Sequence, residues 1–411
     1  MPKRDPSRHA PHSRKVSALL GIWTIAIVLA FVSIMISLGG ITKKKAPELA
    51  TSVWPINGFA LQSSAGRSVR EAIINNKNSF PDSINASTTE IAERAFAHEP
   101  NASSAVTVMA LGAQEQSRRR LMEQSVELSR RDSLTSAWMI FDNGKRDDLD
   151  GVLKYYDISM RTSGIASSTF LPVVAKVLAD DRFIDPLAKL LAKNPPWARR
   201  FWEIIIYEKP SLSNAATLRL ELIDEKKIPA NVYADNALIQ NLVAAGLFDE
   251  ALQLYHRLTG RKATGGSFVR GGNFEQASTY PPLDWQVVSN GDFGSDIDST
   301  NGTMNVSAIG SAGGIFARQL IKLPAGDFIF SATLNSAPEG IGILIAELKC
   351  AQAITPRFKP VKIPLRAGKN VRMVEGIRSN CSYYWLDISG RANEGSDGFD
   401  ATITNISFVS E

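Results

Sequence analysis

Residues 271–285 read GGNFEQASTYPPLDW, and this stretch divides the chain. For about two hundred residues before it the pattern is helical and charged, with apolar positions three and four apart. Here Gly, Pro and aromatic residues take over. Beyond it the period becomes two, as in strands with one buried face. The alternating runs are TMNVSAI, IFARQLIKL, DFIFSATL, IGILIAELKC, VRMVEGI, YYWLDIS and ATITNISFV. Turn pairs such as Asn301-Gly302, Gly313-Gly314 and Asp397-Gly398 separate them. About eight or nine short strands over 267–411 predict an all-β sandwich or jelly roll. The stretch 271–285 is its expected opening strand, and RKATGG, 261–266, is the expected linker.

Working back from the linker, 66–260 reads as an all-α region. Helices are expected at 91–100, 121–132, 170–193, 197–207, 212–226 and 232–258, with 133–161 forming two around Asn143-Gly144. Prolines punctuate them. The clearest unit is NALIQNLVAAGLFDEALQLYHRL, 236–258. Gly246 falls in a turn between antiparallel helices and Phe248 opens the second. The small Ala251 permits close backbone approach, and Phe248 and Tyr255 fill the space beside it. This spacing resembles the second half of a tetratricopeptide repeat. The resemblance implies a helical-repeat scaffold that takes protein partners. An unrelated antiparallel array is the alternative, and both give stacked helical hairpins.

The N-terminus sets the location. Val16 to Ile41 carries no charge and is long enough to cross a hydrocarbon core of about 30 Å. A secretory signal peptide is the rival, but its apolar region spans roughly 7–15 residues and ends at a small-residue cleavage site. Here Lys43-Lys44-Lys45 follows the run directly. The expected order is a cytoplasmic basic tail (1–15), a single transmembrane anchor (16–41), a tether (42–65), the helical region (66–260), the linker, and the sandwich (267–411). Lys3, Arg4, Arg8, Arg14 and Lys15 precede the span, so the positive-inside bias places the N-terminus in the cytoplasm. The bulk then lies across that membrane from the cytoplasm; a resemblance to Gram-negative envelope proteins implies that it is the inner, cytoplasmic membrane and that the bulk is in the periplasm.

Residues 1–45 hold eight Lys/Arg against Asp5 alone, more than the whole chain's net charge of +5. Neither folded region is basic, so no nucleic-acid partner is expected. Cys350 and Cys381 are the only cysteines. In an exported domain an even pair suggests a disulfide, with two buried thiols as the alternative.

The β region also carries a resemblance. Gly272-Asn273-Phe274-Glu275 followed by Trp285 is similar to the opening of a carbohydrate-binding-module jelly roll. Residues 319–328 resemble that family's central strand pair, and 400–408 its closing strand. The resemblance implies glycan binding. Several members hold calcium near the opening acid, which makes Glu275 a candidate, but Thr404-Asn405 stand where a second acid is expected. No cofactor is expected. Glycan recognition needs exposed aromatic faces. Alternation with Leu386 and Ile388 inward puts Tyr383 and Trp385 on the outer face, as candidate platforms or as packing residues.

There is no Walker A loop, HExxH, nucleophile elbow or CxxC, so no enzyme is expected. Asp147-Asp148-Asp150 and Arg118-Arg119-Arg120 read as helix ends. The combination resembles membrane-anchored accessory proteins that work beside exopolysaccharide synthesis or export in Gram-negative envelopes. It implies a non-catalytic scaffold that binds protein and polysaccharide. A pure protein–protein adaptor with a structural β cap and an envelope glycan hydrolase are the alternatives.

Overall fold

The computed structural model describes residues 12–77, 79–224, 231–260, 266–353, 358–377 and 380–411. The uncharged run lies within α1 (His12–Thr42), whose segment Gly21–Thr42 is long and apolar enough to cross a membrane. The chain forms two compact units that divide between Ser167 and Ser168.

In the first unit, the segment expected to be a tether is folded. It forms α2 (Pro47–Val53) and the start of α3 (Gly58–Asn75). The Asn57 side chain caps α3 by accepting from the Ala60 amide at 3.0 Å. Ala50, Ala60 and Ala65 are fully buried. Small side chains allow close helix packing without large apolar residues, which is why hydropathy alone did not mark these helices. Then follow α4 (Ala86–His98), α5 (Ser103–Gly112), α6 (Glu115–Leu128), α7 (Ser133–Lys145) and α8 (Leu149–Thr162). They share a core that includes Leu111, Met122, Trp138 and Met139. Asn143-Gly144 lies inside α7 rather than in the turn. The chain reverses just after α7, where Asp147 takes φ 56° and Asp148 caps α8 through the Gly151 amide. The arginine run is structural in part. Arg118 donates to the Asp82 and Ala113 carbonyls, and Arg119 reaches Asp142 at 2.6 Å. Thr107, Ser125 and Thr135 form a buried hydroxyl triangle that joins α5, α6 and α7.

The second unit holds most of α9 (Gly164–Val177), then α10 (Ile184–Leu191), α11 (Ala198–Ile205), α12 (Leu212–Asp224), α13 (Val232–Ala244) and α14 (Phe248–Thr259). The helices α9, α11 and α13 start thirty-four residues apart. Gly246 has φ 79° in the turn before α14, a conformation that suits glycine. Ala251 and Tyr255 are wholly buried, and Phe248 nearly so. Of the predicted linker, 261–265 lie outside the described residues.

The sandwich is built from β1 (Gln286–Val287), β2 (Phe293–Asp298), β3 (Thr303–Ala308), β4 (Gly313–Lys322), β5 (Gly326–Ser336), β6 (Gly342–Cys350), β7 (Val361–Pro364), β8 (Gly368–Ile377), β9 (Tyr383–Ala392) and β10 (Phe399–Ser410). Two antiparallel sheets, β1-β4-β9-β6-β7 and β2-β3-β10-β5-β8, close over one apolar core. The alternating runs became β3 to β6 and β8 to β10. The short strands β1 and β7 and the mostly polar β2 escaped the sequence pattern.

One expectation is corrected here. Residues 271–285 are not a strand. They form an irregular segment laid against the sandwich, with Phe274 at φ 57° and buried with Trp285 in the core. Gly272 is required because a Cβ there would lie 1.9 Å from the Ile406 carbonyl oxygen. Gln319, itself buried, grips the Arg270 main chain at both N–H and C=O, fixing where the segment starts.

The disulfide is formed between Cys350 and Cys381. It closes a separation of 31 residues, and the chain-entropy argument gives it about 3–4 kcal/mol. Cys350→Ser with Cys381→Ser should lower the melting temperature accordingly. In the native protein neither thiol should react with an alkylating agent before reduction. Full labelling without reductant would disprove the bond.

Candidate functional site

Each proposed glycan residue has a definite place. In β9, Tyr384, Leu386 and Ile388 point into the core, as alternation requires, and Tyr383, Trp385 and Asp387 point outward. The outward face at Tyr383 is not open, however. Tyr383 is 2% exposed, its ring lies 5.1 Å from that of Phe248, and its hydroxyl donates to Asp249 at 2.6 Å. Asp249 also accepts from Lys322 at 2.7 Å. Burial, then the bond to Asp249, pushes the Tyr383 pKa far up. Lys322 and then Tyr383 hold the Asp249 carboxyl below its usual range. Its contribution is therefore present at neutral pH and is lost as pH falls through the depressed value. Tyr383 is a joint between α14 and the sheet, not a stacking platform.

Trp385 is half-buried, and the Arg318 guanidinium sits 4.5 Å from its ring centroid. Arg318 in turn binds the wholly buried Asp387 with two bonds of 3.2 Å, and Lys349 binds the same carboxylate at 2.6 Å. One face of the indole is thus covered by a cation that the sheet holds in place. Glu275 is exposed and accepts from Asn273 at 2.6 Å. Among the described residues no group of three or more His, Cys, Asp or Glu is arranged to hold a metal.

A second joint involves the stretch that opens the β region. Asp284 is buried and accepts three hydrogen bonds: from the Tyr255 hydroxyl at 2.7 Å, the Thr279 amide at 3.0 Å and the Tyr280 amide at 2.8 Å. The Tyr280 ring meets Tyr255 edge-on. Phe248 and Tyr255, expected to fill the gap between α13 and α14, thus also reach across to the sandwich.

An open concavity lies elsewhere, at one end of the sandwich, where the outer face of β2-β3-β10 meets two loops. It has a volume of about 790 Å³. Register places Gly294, Ser307 and Asp400 side by side, and Asp296 beside Asn305 and Thr402. Gly294 lets Ser289 pack close beside this row, because a Cβ there would lie 3.0–3.1 Å from Ser289. The Asn290 side chain accepts from the Asp292 and Phe293 amides at 3.1 and 3.0 Å, which sets the turn that presents Asp292. The 396–398 loop adds Asp397, and Ile309 and Ile341 flank the cleft as exposed apolar residues. Among the described residues, four aspartates line the cleft and no Lys, Arg or His does. Such a wall offers acceptors to hydroxyl or ammonium groups and repels anions. The sequence held part of this signal, in aspartates beside the turn glycines Gly291 and Gly398. What it could not show was that loops about a hundred residues apart meet at one end.

No family model and no curated protein matches the chain. Several solved structures are similar to it. TmCBM61, determined in complex with beta-1,4-galactotriose, is 14% identical with TM-score 0.26, covering 35% of this chain and 99% of that one. A CBM4 structure is 13% identical with TM-score 0.24, covering 35% of this chain and 99% of that one. A structure of accessory secretory proteins 1, 2 and 3 from Streptococcus pneumoniae is 14% identical with TM-score 0.24, covering 31% of this chain and 96% of that one.

Proposed function

We propose that this chain is a membrane-anchored, non-catalytic binding protein of the cell envelope whose sandwich takes polysaccharide in the end cleft. In this reading α1 spans the inner membrane with its N-terminus in the cytoplasm. The hairpins, built in the manner of tetratricopeptide repeats, dock protein partners of polysaccharide synthesis or export. The observation that carries the proposal is the cleft, an open hollow walled by carboxylates and serine hydroxyls and flanked by Ile309 and Ile341. Carboxylates accept hydrogen bonds from sugar hydroxyls, and apolar side chains cover the C–H faces of the rings. Tyr383 takes no part, because α14 covers it.

Calorimetry of the full-length protein in detergent, titrated with purified envelope polysaccharide from its source, tests this. Asp292→Asn with Asp400→Asn should weaken binding about 10–100-fold, the range of one or two charge-assisted hydrogen bonds. Trp385→Ala should change it little. Equal binding by the double variant would sink the cleft as the site. Absence of any binding would leave the protein–protein adaptor as the better account. Release of new reducing ends would replace the non-catalytic reading by the hydrolase.

A further inference from the structure

The end of α1 is not followed by a free tether. Gly39 is buried, and Trp54 and Asn57 of the α2–α3 turn lie against it. Lys43 sits 4.7 Å from the Phe59 ring centroid. Arg67 of α3 binds Glu48 of α2 at 2.8 Å and donates to the Lys45 carbonyl at 3.4 Å. The apolar helix is therefore fastened to the first unit through α2 and α3.

What this leaves outside is chemically specific. Pro47 and Ala50 of α2 are buried against the unit, while Leu49 and Ile56 are 50% and 53% exposed, and Ile41 is 78% exposed. Lys44 and Lys45 are exposed beside them. The acid in α2, Glu48, is neutralised by Arg67, so the exposed charge of this segment is positive. Large apolar side chains, a tryptophan and lysines directly after an apolar span are the composition that suits a bilayer interface. Lysines there are drawn to anionic headgroups.

We propose that residues 41–57 form a headgroup collar, in which Lys44 and Lys45 bind anionic phospholipid headgroups while Leu49 and Ile56 enter the interfacial layer. The collar rests on the reading of α1 as a membrane span and is independent of the polysaccharide cleft. It would hold the first unit at the membrane surface in a fixed orientation.

The disulfide makes a clean test available, because an introduced cysteine is the sole free thiol. Full-length Leu49→Cys, carrying an environment-sensitive fluorophore, is reconstituted in phosphatidylcholine vesicles with and without phosphatidylglycerol. Glu127→Cys, labelled at an exposed site on α6, is the control. Lipid-borne nitroxide should quench the label at position 49 several-fold more than the control, and more strongly with phosphatidylglycerol. Lys44→Gln with Lys45→Gln should abolish that extra quenching. A label at position 49 as accessible to water as the control, in a chain that resists alkaline extraction, overturns the collar and leaves the span intact. Extraction of the chain by alkaline carbonate overturns both. A label at position 49 that is shielded from both water and lipid-borne nitroxide until protein is diluted in lipid assigns the surface to a second copy and overturns the lipid reading. Polysaccharide titration of the same samples reports on the cleft separately.

Discussion

Asp284→Ala is expected to destabilise the second unit by about 3–5 kcal/mol, because it strands a buried hydroxyl and two amides together. The carboxylate accepts from Tyr255, Thr279 and Tyr280, and Asp284 is buried. For a unit of this size the melting temperature should fall by about 10 °C. Scanning calorimetry of the wild type and variant measures it. Tyr255→Phe removes one of the three bonds and should cost about 1–2 kcal/mol. A shift below about 1 kcal/mol for Asp284→Ala would show that the joint between α14 and the sandwich carries little energy. The joint also bears on whether 267–411 can fold alone. Excised, that segment exposes Tyr383 and loses its Tyr255 partner, so it should melt below the intact unit.

The second large effect lies in the helices. Arg219 and Asp235 are 3% and 2% exposed and form a two-point pair, at 2.6 and 2.9 Å. The Asn231 amide donates to the same carboxylate at 3.0 Å, and the guanidinium lies 6.0 Å from the Trp202 ring centroid. Removing one partner leaves an uncompensated buried charge, so Asp235→Ala should cost about 3–5 kcal/mol in chemical denaturation. Replacing both, as Arg219→Met with Asp235→Leu, should recover most of that loss, because two apolar side chains need no counter-charge. If the double variant is as unstable as the single one, the pair is not what holds α12 to α13.

The sequence showed strands and helices wherever one face is apolar over several residues. The runs that became β3 to β6 and β8 to β10 alternate strictly enough to be read, as does the Gly246 turn with Ala251 behind it. Elements held by small residues or by few residues were not legible. The alanines of α2 and α3 make no hydropathy signal, β1 and β7 are too short for a period to register, and β2, FGSDID, is as long as β3 but mostly polar. The stretch 271–285 reads as the opening strand because it stands where the helical period gives way to the β region. Its backbone is set by contacts from Tyr255, Gln319 and Ile406, which come from distant parts of the chain.

The candidate site divides in the same way. Alternation along β9 determined that Tyr383 and Trp385 face outward, because successive strand side chains point to opposite sides. Which outward face stays open was decided by tertiary packing. α14 lies on Tyr383, Arg318 covers one face of Trp385, and the free concavity falls where β2, β3 and β10 meet two loops. The sequence by itself determined the uncharged helix, the charge balance, the cysteine pair and the β-sandwich, all of which depend on residues near one another in the chain or on composition. Only the tertiary structure decided the joint and the cleft, because each depends on side chains brought together from segments far apart in sequence.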